Sequence, residues 1–260
     1  MKKTARLAIL CMAVLSFRGY AHNVTIPKDI NEMSLNKVAD NVYVVHGTRS
    51  MPNKDNKGFI SNSGFVVSDE GVVIIDTGGS LQIGEMLLKK VNEVTDKPVI
   101  AVFNTHVHGD HWMGNAAIRK AYPEARIYAH ERAIERLQNG EAEQWLDIFM
   151  QSTDGAIEGT QIVLPDTALK GGESIEAAGN TFRIHHTGKA HTDNDIMIEY
   201  PERKTLFAGD IVIYGSTVSG ARPQDFSATG QISAVEFALE LPVDIYVPGH
   251  GPTGGREIPE

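Results

Sequence analysis

Along most of this chain, apolar positions recur with one of two periods. Residues 41–47, NVYVVHG, form a short run of the β-branched and aromatic types that favour strands. Residues 59–79 repeat that pattern in two or three strands with a turn at Asp69–Gly71. PVIAVFN at 98–104 is a continuous apolar run of strand length, the pattern of a strand buried on both faces. Between them, SLQIGEMLLKKVNEV at 80–94 places Leu81, Met86, Leu87, Val91 and Val94 roughly on one helical face. Helices are also expected over 111–122, stopped by Pro123, over 131–150 with a weak point at Gly140, and near 230–240. Further strands are expected at 125–130, 160–164, 181–186, 195–200, 204–208 and 244–247. Residues 48–58 and 214–228 are polar and glycine-containing, and are expected to form pocket walls. Strands and helices interleave without a composition break, which describes one α/β domain with hairpins as well as crossovers.

Residues 1–21 follow neither period. MKKTAR is basic, LAILCMAVLSF is an apolar stretch, and GYA ends on small residues. This is the pattern of a secretory signal peptide cleaved after Ala21, with an apolar core too short to span a bilayer as an ordinary helix. The domain is then 22–260, with 22–34 as an N-terminal arm, in a periplasmic or secreted protein without stable membrane association. Cleavage removes Lys2, Lys3, Arg6 and Arg18 and no acid. The 24 basic residues become 20 against 33 acidic ones, and the net charge moves from −9 to −13. Such a charge argues against a polyanionic partner such as nucleic acid. Cys11 leaves with the signal, so an exported protein without disulfides must be held by its core or by metal.

The candidate chemistry lies where apolar runs end. THVHGDHWMGN at 105–115 follows the buried run, and GKAHTDND, LFAGD and VPGHG repeat the arrangement later. Side chains two apart in an extended segment point the same way, so His106 and His108 can grip one metal. Gly109 lets the chain turn, which places Asp110 and His111 at the start of the next helix. The positive end of a helix favours ionised Asp and neutral His, the protonation states that metal binding requires. Imidazole with carboxylate suits zinc, with iron and manganese open. RIHHTGKAHT offers His185, His186 and His191, and spacing alone does not choose among them.

Taken in order, His106-x-His108-x-Asp110-His111, then His191, Asp210 and His250, resembles the metallo-β-lactamase superfamily over about residues 40–251. The resemblance implies an αββα four-layer sandwich with a two-metal site at one edge. It selects His191 as the third histidine. It implies that His106, His108 and His191 hold a first zinc, that Asp110, His111 and His250 hold a second, and that Asp210 bridges them. A hydroxide between the two ions would attack a carbonyl, phosphoryl or sulfuryl centre, oriented by Asp110 as the catalytic residue. Asp76, at the end of VVIID, stands in the family near the site but off the metal, and reads equally well as a strand-end cap.

Asp210 implies a glyoxalase II- or lactonase-like ligand set, because antibiotic-degrading members usually carry cysteine or serine there. Most relatives continue into at least one more helix beyond His250, whereas this chain ends ten residues past it. The function implied is an exported hydrolase with two zinc ions, acting on an ester, lactone, thioester, amide or related bond of a small molecule. Three other readings stay open. One is a β-lactamase. Another is a persulfide dioxygenase with a single iron that leaves His111 and His250 off the metal. The third is a non-catalytic metal-binding accessory protein of the periplasm. His22, His46, His130, His185 and His186 are expected to be structural, and Trp112 and Trp145 to pack.

Overall fold

The computed structural model describes residues 29–215 and 224–260. The expected signal peptide, residues 22–28 of the arm and residues 216–223 of the second pocket wall lie outside the described residues.

Seven strands form the first sheet: β1 (Leu35–Ala39), β2 (Val42–Val45), β3 (Ser63–Val67), β4 (Val72–Ile75), β5 (Val99–Phe103), β6 (Arg126–His130) and β7 (Thr167–Leu169). They lie in sequence order, antiparallel from β1 to β4 and parallel from β4 to β7. Parallel neighbours need crossovers, and helices supply them. Helix α1 (Leu81–Asn92) joins β4 to β5, and α2 (Gly109–Trp112) with α3 (Asn115–Ala121) joins β5 to β6. Helices α4 (Glu131–Arg136) and α5 (Ala142–Ser152) follow β6.

The second sheet has the order β12-β11-β10-β9-β8, from β8 (Ser174–Ala177), β9 (Asn180–His185), β10 (Met197–Tyr200), β11 (Thr205–Ile213) and β12 (Ile245–His250). Only β11 and β12 run parallel, and α6 (Ala228–Glu240) connects them. Among the described residues, no helix is long and apolar enough to cross a membrane.

The period of two explains the layers. Val73 and Ile75 of β4 face the second sheet, where they join Phe103, Phe182, Ile198, Tyr200 and Phe207 in the central core. Val72 and Ile74 point the other way, onto Ile83, Met86, Leu87 and Val91 of α1. Ser80 starts α1 by accepting a hydrogen bond from the Ile83 N–H, as a serine N-cap should. On the outer face of the second sheet, Ala234 and Ala238 of α6 cover Leu206, Ala208 and Tyr246. Helix, sheet, sheet and helix make the four-layer α/β architecture expected above.

Several boundaries differ from the pattern reading. Residues 160–164 belong to no strand. Their apolar side chains pack in two directions, Val163 toward α1 and Ile162 and Leu164 toward α5. The helix expected at 111–122 starts earlier, at Gly109, and is broken after Trp112. The expected weak point at Gly140 is a kink: Leu137–Glu141 forms a π-type turn in which Gly140 has φ 97°. Strands β1, β7 and β8 were not anticipated; all are short, and β1 is only half-buried.

Candidate metal centre

The ligand-type residues arrive from five places and meet at one edge of the sandwich. His106 and His108 follow β5, Asp110 and His111 sit in α2, and His191 lies in the turn after β9. Asp210 is within β11, and His250 ends β12. His106, His108, His191 and Asp210 each offer a ligand atom within 4.8 Å of the others, and so do Asp110, His111 and His250. All are buried except His250, which is partly exposed.

Asp210 stands between the two groups. Its Oδ2 is 3.3 Å from His191 Nε2, 3.4 Å from His250 Nε2 and 3.9 Å from His106 Nε2, and its Oδ1 is 3.3 Å from His111 Nε2. Asp110 Oδ2 lies 3.4 Å from His111 Nε2 and 3.3 Å from His250 Nε2. The backbone makes room for this carboxylate: a Cβ on Gly249 would sit 1.9 Å from Asp210 Oδ1. The preceding Gly209 has φ 52°, a left-handed conformation that glycine adopts without strain.

The outer nitrogens of His106, His111 and His250 are held by the protein. Asp76 Oδ2 is 2.7 Å from His111 Nδ1, and the same carboxylate accepts from the N–H and the hydroxyl of Thr105, each at 2.8 Å. Asp76 is therefore both a cap on the end of β5 and the holder of His111. Its φ of 57° is a conformation tolerated by aspartate. The Thr105 hydroxyl also lies 3.1 Å from His106 Nδ1, and His250 Nδ1 lies 2.8 Å from the Ile60 carbonyl, to which it donates. Such contacts fix the ring and its tautomer and leave the inward nitrogen as a ligand.

Buried polar atoms are normally paired, yet His106 Nε2, His111 Nε2 and Asp210 Oδ1 have no hydrogen-bond partner. Five imidazoles and two carboxylates converging, three of their inward atoms unpaired, fit one or two cations of the kind bound by nitrogen and oxygen. The electrostatics agree for the carboxylates, His106 and His191. His111, pulled down by burial, is instead raised well above its ordinary value by Asp110, Asp76 and Asp210 rather than kept neutral by its helix. Burial opposes ionisation of Asp110, but His111 and His250 hold its carboxyl well below the usual range. The same holds for Asp210, where His250, His111 and His191 overcome burial. Burial, with the neighbouring His111 and His108, keeps His106 well below its ordinary value, and burial takes His191 to about 4. His250 is pulled down by burial but raised further by Asp210 and Asp110, to about 10. A cation entering beside His250 therefore displaces a proton.

A cavity of about 550 Å³ opens onto the cluster. His108, Asp110, Asp210 and His250 form its floor, Met51, Ile148, Phe149 and Tyr214 much of its wall, and Arg49 is the one arginine or lysine among its described lining residues. The segments 48–58 and 214–228 contribute to it as expected, through residues 48–52 and 214–215. Trp145 does more than pack: its ring is 4.9 Å from that of His108, and it lines the cavity. Trp112 is buried, donating to the Val107 carbonyl. His185 and His186 are outside the cluster. His185 Nε2 is 2.8 Å from Glu199, and His186 donates to the Asp195 carbonyl with its ring tilted against that of His130 at 4.2 Å. The pattern reading did not reach Thr105, Asp225 or Arg136. Asp225 is buried with Oδ2 3.7 Å from His108 Nε2, and nothing in its local sequence sets it apart from a loop aspartate.

Residues 56–250 match the metallo-beta-lactamase superfamily. The chain is 29% identical over 192 residues to the 2,4-dinitroanisole O-demethylase subunit alpha of Nocardioides sp. (strain JS1661), covering 71% of this chain and 51% of that protein. It is 29% identical over 133 residues to a hydroxyacylglutathione hydrolase of Synechococcus sp. (strain JA-2-3B'a(2-13)), covering 51% and 42%. The chain thus matches about half the length of these curated relatives. Among solved structures, a metallo-beta-lactamase from Pontibacter korlensis superposes with a TM-score of 0.68 at 20% identity, covering 88% of this chain and 95% of that one. A match across three quarters of the chain, on this fold and with an intact His/Asp ligand set, makes the chain a member of the metallo-beta-lactamase superfamily of metallohydrolases.

Proposed function

We propose that the chain is an exported hydrolase that uses two zinc ions to cleave an ester or thioester bond in a small molecule with a substantial apolar portion. The observation that carries the two-ion reading is the position of Asp210. Its two oxygens face both ligand groups, within 3.3–3.9 Å of four imidazoles. His106, His108 and His191 would hold one ion, and Asp110, His111 and His250 the other, with Asp210 shared. When bound, such a pair supplies an activated water and polarises the electrophilic oxygen of the substrate. Asp110 sits on the cavity floor and can orient the attacking water as well as bind metal. The apolar wall supports an acyl or aryl portion in the substrate, and a hydroxyacylglutathione hydrolase among the relatives agrees with a thioester.

Two of the other readings fit the geometry less well. A single-iron dioxygenase would leave His111 and His250 off the metal. Here both Nε2 atoms lie 3.3–3.4 Å from each of the two ligand carboxylates. A β-lactamase remains the second reading, and Asp210 in place of cysteine or serine weighs against it. Export rests on the pattern of residues 1–21. N-terminal sequencing of protein from the periplasmic fraction should begin at His22, and a retained Met1 would overturn it.

The zinc-loaded protein should be assayed on p-nitrophenyl esters, acyl thioesters, lactones and nitrocefin. Hydrolysis of esters or thioesters, lost with a chelator and restored by zinc, is the expected result. Turnover of nitrocefin alone would select the β-lactamase reading. Oxygen consumption with a persulfide by iron-loaded protein, without any hydrolysis, would replace the hydrolase reading.

A further inference from the structure

His108 has an outer nitrogen that is reached neither by the backbone nor by Thr105. Its Nδ1 lies 3.0 Å from His191 Nε2, so Nδ1 faces the cluster and Nε2 faces away. That Nε2 is buried and has no hydrogen-bond partner. The nearest carboxylate oxygen is Asp225 Oδ2 at 3.7 Å, itself buried and without a partner. Two complementary orphan atoms facing each other, about 0.5 Å beyond hydrogen-bond reach, form a pair that closes with a small ring rotation. The other oxygen of Asp225 is already taken: Oδ1 accepts from Arg136 Nη2 at 2.8 Å.

Arg136 is a hub. Its Nε and Nη2 bind Glu141 at 2.7 and 2.9 Å, a bidentate fork, and its Nη1 binds Asp193 at 2.9 Å. The π-type turn after α4 is what brings Glu141 back onto Arg136, five residues earlier. Planar two-point pairing fixes the guanidinium more firmly than a single contact would. From that fixed position it reaches two segments that carry ligands of the first group: Asp193 in the turn that holds His191, and Asp225, which faces His108.

We propose that Arg136 is a positioning residue for the first metal, acting through Asp225 on His108 and through Asp193 on the His191 turn. Asp225 accepts the His108 Nε2–H, which keeps that proton on Nε2 and the Nδ1 lone pair free for the cation. Arg136 holds the Asp225 carboxylate aimed at His108. Asp76 does the equivalent for His111 from the position directly after β4. Asp225 lies on a loop, and a loop carboxylate needs a tether of this kind to hold its place.

This inference rests on the two-ion reading, and one titration separates their failures. Metal-free wild type, Arg136→Met and Asp225→Asn are titrated with zinc against a competing chelator. Cobalt-substituted samples report ligand geometry by their visible absorption, and the thermal midpoint of each metal-free protein reports folding. Both variants should bind the first ion about 10- to 100-fold more weakly, with an altered cobalt spectrum, and should keep the second site. Asp225→Asn is nearly isosteric and decides the matter should Arg136→Met fail to fold. First-ion affinity within threefold of wild type, with an unchanged cobalt spectrum, would overturn the proposal and leave Arg136 a structural residue. Equal weakening of both ions would also overturn it. A wild type that binds no zinc would remove the two-ion reading itself.

Discussion

Replacing Gly249 by alanine adds a single methyl group at the most crowded point of the site. The new Cβ would lie 1.9 Å from Asp210 Oδ1, 2.8 Å from the Gly209 carbonyl carbon and 3.0 Å from the Asp210 nitrogen. Cβ contacts below 3.0 Å are essentially not found, so Oδ1 must retreat by at least 1.1 Å, the difference between 3.0 and 1.9 Å. Metal sites tolerate ligand displacements of about 0.2 Å. The required shift is several times larger, and it moves the oxygen that faces His111 Nε2. The backbone contacts give the overpacked strand pair no easy escape, and such crowding costs about 1–3 kcal/mol. In a domain of this size that lowers the thermal midpoint by roughly 2–12 °C. Calorimetry of the metal-free protein, with zinc per chain by elemental analysis, checks both effects. The expected result is a lower midpoint and fewer than two zinc ions per chain. Two tightly held ions and an unchanged midpoint would refute the close packing of Gly249 on Asp210.

His191→Ala should lose zinc and orders of magnitude in turnover, because it removes an imidazole of the first group. His186→Ala should lose one hydrogen bond to Asp195 and a ring contact, about 1 kcal/mol, and keep its zinc. Zinc content and thermal midpoint separate the two, and the reverse pattern would put His186 rather than His191 on the metal. Asp76→Ala removes the 2.7 Å contact to His111 and should weaken the second ion by about 10- to 100-fold in a chelator competition. The pH dependence of the metal-free protein has a definite sign. His250, against its burial, is raised by Asp210 and Asp110 to about 10, so its contribution to stability is complete below about pH 6.5 and disappears as pH rises through 10. The metal-free midpoint should therefore fall between pH 7 and 10 while zinc affinity rises, and a midpoint that climbs over that range would contradict the assignment.

The site was legible because each ligand sits where a local pattern changes. His106 to His111 follow a buried apolar run, Asp210 follows LFAG, and His250 lies between glycines at the end of β12, so single segments carried the signal. What supports those ligands was not legible. Arg136 and Asp225 meet across the fold, and arginine and aspartate in polar segments have no distinguishing periodicity. Spacing alone did not separate His191 from His185 and His186; family resemblance did, and the structure places only His191 in the cluster. The fold shows the same division. Strand β4 is buried on both faces and β5 at every position but Ile100, and both read clearly as apolar runs. Residues 160–164 produce a strand-like pattern because their side chains pack toward two different helices, while Pro165 can donate no ladder hydrogen bond. Strands β7 and β8 are three and four residues long, too short for an alternation to stand out.

Zinc titration of the metal-free chain, followed by native mass spectrometry, tests the two-ion centre most directly. The measurement counts ions per folded chain and depends on no choice of substrate. Asp210 facing both ligand groups predicts a saturated species carrying two zinc ions, and predicts that Asp210→Ala stops at one or none. A wild-type chain that saturates at one ion, or an Asp210→Ala variant that still binds two with undiminished affinity, would contradict it.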